Sequence, residues 1–190
     1  MALDLAALSD GELATLSLAG RDPAFAEIVR RHREALFRLA RAHVGDADEA
    51  LDLVQEAFVS AHRALRRYDP DRPLRTWLSA ITLNKCRDWG RKRAVRRFLS
   101  FAVPIDDAIV RGLPEDRPGV DVEAADREAL ARVARAIAEL PAPLKEALIL
   151  RTIDGMTQAD AAALLGVSEK AVETRLYRAR AKLTEKLAGG

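Results

Sequence analysis

Thr157-Gln-Ala-Asp-Ala-Ala-Ala-Leu-Leu-Gly-Val-Ser168 runs directly into a basic, helix-forming stretch that carries Arg175, Arg178, Arg180 and Lys182. Thr157 is a good helix cap, and Asp160 three residues later makes a variant of the capping box. Gly166 supplies the left-handed residue that ends a short helix. Ser168 then caps the next one. Two helices joined by a tight glycine-containing turn, the second rich in arginine, form the plan of a helix-turn-helix reader of duplex DNA. The plainer alternative is a helical hairpin with a solvated charged face. The two caps, the turn glycine and the arginines together favour the DNA reader.

Working outward, the chain has 190 residues, 49% hydrophobic and 32% charged. That length allows one or two domains with a buried core. No run of about 18 apolar residues occurs, so no transmembrane helix is expected. The start, Met-Ala-Leu-Asp-Leu, has neither the basic beginning nor the apolar run of a secretory signal. The single cysteine, Cys86, excludes an internal disulfide and a cysteine metal cluster. A reducing cytoplasm fits. His32, His43 and His62 are scattered over amphipathic stretches, and no glycine-rich phosphate loop is present. An enzyme, a metal site and a bound cofactor are therefore not expected.

Net charge is only +2, but its distribution is uneven. Lys85 to Arg97 holds seven cations against Asp88 alone; Pro104 to Ala129 holds eight acids against three arginines. Glycine and proline concentrate in the acidic stretch, at Pro104, Gly112, Pro114, Pro118 and Gly119. Residues 99–122 read as a flexible linker, either a solvated tether or a segment whose acidity keeps it off nucleic acid.

The rest reads as helix, so the fold class is all-α: two helical domains, 1–98 and 123–190, on either side of that linker. Ser9 and Glu12 form a capping box for a first helix ending near Gly20. Asp22 reads as the cap of the next, with Pro23 at its first position. Phe25, Ile28, Val29, Leu36, Phe37 and Leu39 fall at helical spacing, and Gly45 closes that helix. Asp46 opens another to about Tyr68, and the prolines and aspartates of Tyr68–Pro73 make a loop. A long helix follows from Leu74 to about Arg97, anchored by the stripe Leu74, Trp77, Leu78 and Ile81. Helices near 122–139 and 142–153 precede the helix-turn-helix.

These segments carry a family resemblance. Asp52-Leu-Val-Gln-Glu-Ala-Phe58, Arg75-Thr-Trp-Leu-Ser-Ala-Ile81, Asn84, Asp88 and Arg91 resemble conserved region 2 of bacterial sigma factors. Leu140-Pro141, Glu146-Ala-Leu-Ile-Leu-Arg151 and Tyr177-Arg-Ala-Arg180 resemble region 4. The layout, from about Asp22 to Leu183, resembles the extracytoplasmic-function (ECF) group. No single motif decides it; their order and spacing are specific. The resemblance implies a promoter-specificity subunit. Its first domain would dock on the coiled coil of the largest subunit of core RNA polymerase and open the minus-ten element of promoter DNA. Its second domain would read the minus-thirty-five element as duplex. An anti-sigma factor is the further partner implied, one that could hold this otherwise cytoplasmic protein at the inner membrane.

Residue by residue, the resemblance makes Asp52, Leu53, Gln55, Glu56 and Phe58 the polymerase-docking face, a polar rim around an apolar centre. Read without it, the same stretch is a helix with solvated charges. On the long helix, Lys85, Arg87, Arg91 and Lys92 can hold phosphates as charges. Asn84 can donate to and accept from an unpaired base edge. The loop Tyr68–Pro73 with the helix behind it can hold a flipped base, offsetting a few kcal/mol of unstacking. Trp77 reads as core; Trp89, between charges, as the more exposed ring; Asp88 as the partner of a nearby arginine. On the last helix Glu173, Thr174, Tyr177 and Arg178 face the major groove, while Arg175, Arg180 and Lys182 reach phosphates. Glu173 stands where a basic residue is expected, and a carboxylate there can accept from cytosine. Two other functions stay open: a helix-turn-helix regulator that needs no polymerase, and a sigma mimic that titrates an anti-sigma factor.

Overall fold

The computed structural model describes residues 3–102 and 121–188, so most of the expected acidic linker, 103–120, lies outside the described residues. Every long element among those residues is an α-helix: α1 Asp10–Leu18, α2 Asp22–Val44, α3 Ala47–Ala64, α4 Leu74–Ala102, α5 Asp121–Ala138, α6 Ala142–Thr152, α7 Gln158–Leu165 and α8 Glu169–Ala188.

Most helix starts follow from their caps. Ser9 Oγ accepts from the Glu12 N–H at 3.3 Å, and Glu12 Oε2 accepts from the Ser9 N–H at 2.7 Å, a complete capping box. Asp46 accepts from the Glu49 N–H at 3.0 Å and starts α3. The start of α2 differs from expectation. Asp22 is its first helical residue, and the flanking Arg21 makes no side-chain cap. Asp22 acts there as an acid in the first turn, where the helix dipole favours it. The end of α4 also differs, lying at Ala102 beyond the expected Arg97 and across the boundary expected at 98–99. Phe98 to Ala102 contains no breaker, and only Pro104 disfavours helix in the residue ahead of it.

The amino-terminal half packs α1 to α4 around Leu13, Ile28, Leu36, Val54, Phe58, Leu74 and Leu78. Each such side chain, once buried, contributes about 1.5–3 kcal/mol. Asp10 on α1 accepts from His32 Nε2 on α2 at 2.8 Å, and Arg31 holds the carbonyls of Leu5, Ala6 and Leu8. In the carboxy-terminal half, α6, α7 and α8 bury Ile149, Leu150, Ala161, Ala162 and Val172. This second cluster also takes in Leu39 and Ala42 of α2 and Leu83 of α4. The two halves therefore share an apolar seam as well as being joined in sequence.

Candidate nucleic-acid interface

The turn into α8 is built as its sequence suggests. Gly166 lies at φ +67°, and Ser168 Oγ accepts from the Ala171 N–H at 3.2 Å. Val172 and Ala179 are fully buried, with Leu176 and Leu183 packed beside them. At about 100° per residue, that inward stripe turns Lys170, Thr174, Tyr177 and Arg178 outward. Tyr177 is 76% exposed. Glu173 and Arg180 then lie on one flank of the outward face, and Arg175 and Lys182 on the other. Glu173 is paired with Lys170 at 2.8 Å. Such an exposed pair is worth little, so DNA can part it readily. The Thr174 hydroxyl donates to the Lys170 carbonyl at 2.9 Å.

On α4 the expected residues divide. Asn84, Arg91 and Lys92 are exposed. Lys85 lies 3.4 Å from Glu56 of α3, and Arg91 is paired with Asp88. Trp77 packs on the core and stacks against Tyr68, ring centroids 5.4 Å apart. Trp89 is less free than expected. Its ring lies against the core, its N–H donates to Glu49 at 2.7 Å, and Arg93 sits 5.1 Å over it. A cleft does open behind the Tyr68–Pro73 loop, but its far wall is Asp160, Ala163 and Leu164 of α7.

On α3, Asp52, Gln55 and Glu56 are exposed, whereas Leu53 and Phe58 are only 6% and 7% exposed. Leu53 and Phe58 are core residues, Phe58 edge-on to Phe25 at 6.4 Å, and cannot form the apolar centre of a surface. The outward apolar residues are instead Leu51 and Val59, 50% and 51% exposed. With Gln55 they form an i, i+4, i+8 row.

Arg87 is the largest departure. It is not free for phosphate: its guanidinium makes two 2.7 Å bonds to the Glu146 carboxylate of α6 and a third, 3.1 Å, to Asn84. Nearby, Arg75 donates to the Asp154 carboxylate at 2.7 and 3.0 Å and to its carbonyl at 2.8 Å; the Ser79 hydroxyl adds a 2.7 Å bond to the other carboxylate oxygen. Burial pushes the Glu146 carboxyl up, but the Arg87 hydrogen bonds and the neighbouring His43 outweigh it and hold it at about 2. Lys145, next along α6, donates to the carbonyls of His43 and Ala138, both at 2.8 Å. The His43 ring is buried 3.9 Å from Glu146, neither nitrogen hydrogen-bonded, and burial lowers its pKa. Cys86 is buried in the same neighbourhood, its thiol pushed up to about 12 by desolvation, which makes it unreactive. Glu146, Asp154, His43, Lys145 and Ser79 were not anticipated, because their partners lie far away in sequence. The one local hint is a charged pair, Lys145-Glu146, opening the apolar run Ala-Leu-Ile-Leu.

Residues 28–97 match the family described as Sigma-70 region 2, and residues 130–183 match Sigma-70, region 4. The RNA polymerase sigma factor CnrH of Cupriavidus metallidurans is 44% identical over 177 residues, 93% of each chain. The ECF RNA polymerase sigma factor SigM of Mycobacterium tuberculosis is 34% identical over 94% of this chain and 85% of its own. The chain belongs to the ECF group of the sigma-70 family. Among solved structures, CnrH in complex with the cytosolic domain of CnrY is 38% identical, with a TM-score of 0.68 over 95% of this chain and 97% of that one. The sigma factor RpoE in complex with the anti-sigma factor NepR from Bartonella quintana is 27% identical, with a TM-score of 0.66 over 86% and 96%. The α3 and α4 surfaces fall inside the region 2 match, and the outward face of α8 inside region 4. Among the described residues, no helix is long and apolar enough to cross a membrane, and no group of histidine, cysteine and acidic side chains is arranged to hold a metal.

Proposed function

We propose that this ECF sigma factor directs RNA polymerase to its promoters through three separate surfaces. The α3 row Leu51, Gln55 and Val59, with Asp52 and Glu56 beside it, docks region 2 on core polymerase. Asn84, Lys85, Arg91 and Lys92 of α4 hold the minus-ten element open, while Arg87 ties that helix to Glu146 of α6. The outward face of α8 reads the minus-thirty-five element, with Arg178 and Tyr177 at base edges and Arg175, Arg180 and Lys182 on phosphates. Region 2 function occupies 1–98 and region 4 function 123–190. The protein works in the cytoplasm as an initiation factor rather than a catalyst, under an anti-sigma factor, as RpoE is bound by NepR.

The observation that carries this reading is the conjunction of a capped helix-turn-helix with an unfilled apolar row on α3, 50% exposed at each end. A DNA-only regulator has no use for that row. The test is capture of core polymerase by the tagged chain. The parent should retain the core, and Leu51→Asp with Val59→Asp should abolish retention while leaving helicity intact. Equal retention by both proteins, or none by the parent, would refute docking through α3.

A further inference from the structure

We propose that the cleft where the end of α2 meets α4 and α5 is a binding site for a small molecule that carries a diphosphate group, separate from the three surfaces assigned above. The cleft measures about 610 Å³ and is lined by His43 of α2, Trp89, Gly90 and Arg93 of α4, Arg135 of α5 and Lys145 of α6. That volume suits a small molecule rather than a single ion.

Lys145 carries the argument furthest. It is only 9% exposed, yet among the described residues no carboxylate hydrogen-bonds to its ammonium. Its Nζ donates to the His43 and Ala138 carbonyls, which uses two of its three N–H groups. The adjacent Glu146 is already committed to Arg87. A buried cation is expensive unless an anion pairs with it, and burial accordingly lowers the Lys145 pKa. His43 shares the deficit: it is 5% exposed, and neither ring nitrogen is hydrogen-bonded. A phosphoryl oxygen at this floor satisfies the third Lys145 N–H and a His43 N–H together. Arg93 and Arg135 are exposed on the α4 and α5 walls. A guanidinium grips one phosphoryl group through two N–H bonds, so two such forks call for two phosphoryl groups. That selects a diphosphate over a lone phosphate or sulfate.

The acids that line the cleft are already engaged. Asp46 accepts from the Glu49 N–H as the cap of α3, and Glu139 pairs with Lys186 at 2.6 Å. Both are exposed, so water and salt screen their charge. Gly90 leaves room on the α4 wall, because a Cβ added there meets nothing within 4 Å. The neighbouring Trp89 offers an aromatic ring, with the Arg93 guanidinium 5.1 Å from its centroid. A nucleoside base can stack on such a ring. Inorganic pyrophosphate and a nucleoside diphosphate therefore present the same recognised chemistry, and differ in whether a base adds to it.

The test is calorimetric titration of the full chain with inorganic pyrophosphate at about 0.15 M salt, where distant exposed charges are largely screened. Pyrophosphate should bind, and orthophosphate and sulfate should bind about tenfold more weakly or not at all. Arg93→Ala and Arg135→Ala should each weaken pyrophosphate binding about tenfold. Arg96→Ala and Arg132→Ala remove exposed cations from the same two helices outside the cleft, and should leave binding unchanged. Lys145→Met should abolish binding. Gly90→Leu should do the same by filling the cleft, and it keeps the test decisive if circular dichroism shows that Lys145→Met does not fold. ADP and GDP make the second arm. Tighter binding than pyrophosphate identifies a nucleotide as the source of the diphosphate; equal or weaker binding identifies the diphosphate alone. No pyrophosphate binding by the folded parent would overturn the site. So would losses in Arg96→Ala and Arg132→Ala as large as those in Arg93→Ala and Arg135→Ala, which would mark diffuse attraction to a basic surface.

Discussion

Gly45 ends α2 where it meets region 4, and replacing it with alanine perturbs two terms that can be separated. Its φ is +83°, a conformation that costs an L-residue about 1–2 kcal/mol. A Cβ added there would also lie 2.9 Å from Ala138 Cβ at the end of α5, closer than real Cβ atoms approach. Overpacking of this kind costs about 1–3 kcal/mol. Gly20 shares the φ of +83° but has nothing within 4 Å of its added Cβ. Gly20→Ala should therefore lose about 1–2 kcal/mol and Gly45→Ala about 2–5 kcal/mol. Because the clash lies between the two halves, Gly45→Ala should also loosen their contact, read as a larger radius of gyration by small-angle scattering, and Gly20→Ala should not. Ala138→Gly removes the opposing methyl at a helix end, for about 1 kcal/mol of its own. In a double-mutant cycle, urea unfolding should give a favourable coupling of about 1–3 kcal/mol between positions 45 and 138. A coupling below about 0.5 kcal/mol, or equal losses in the two glycine variants, would refute the contact between α2 and α5.

Other outcomes follow from the same geometry. Arg178→Ala should cost about 1–3 kcal/mol in minus-thirty-five binding and relax preference at one base, whereas Lys182→Ala should weaken all sequences alike and lower the salt slope by about one unit, both read by anisotropy titration. Asn84→Ala should spare minus-thirty-five binding but impair opening, so permanganate footprinting should show thymine reactivity restored by a pre-melted bubble for Asn84→Ala and not for Arg178→Ala. Stability should fall with acid in two stages. His43, buried neutral with its pKa lowered, destabilises the fold once the unfolded chain takes up a proton below the ordinary value of 6.5. Glu146, held at about 2 by the Arg87 hydrogen bonds and the neighbouring His43 against the cost of burial, contributes stability above its ordinary 4.5 that is lost as pH falls from there towards 2. Urea unfolding from pH 8 to 3 should lose the first stage in His43→Gln and the second in Glu146→Gln, and a parent curve flat from pH 8 to 5 would count against the buried neutral histidine.

What the sequence made legible was local. The Ser9–Glu12 capping box, the Asp46 cap, and the Thr157 and Ser168 caps around Gly166 each depend on residues within a turn of one another, and each appears where its spacing places it. The inward stripe of α8, and with it the outward reading face, follows from helical period alone. The α3 surface was read less well. Asp52, Gln55 and Glu56 bracket Leu53 on the sequence, but the inward set of that helix is Leu53, Val54, Ala57, Phe58 and Ala61, which leaves Leu51 and Val59 outside. Arg87 shows the deeper limit. Its cationic neighbours marked a DNA surface, and nothing near it announced Glu146, which is 59 residues away. Ion pairs between packed halves are set by how apolar seams align, here Leu39, Ala42 and Leu83 against Ile149 and Leu150. That alignment leaves no periodic trace in the chain.

The most direct test of the central account is run-off transcription from promoters selected by the chain, with core polymerase and purified protein as the only additions. The account predicts a discrete transcript that needs both components, is lost with Leu51→Asp and Val59→Asp, and is lost on duplex but retained on a pre-melted template with Asn84→Ala. Tight, specific promoter binding by the free chain, with no transcript on adding core polymerase, would contradict it.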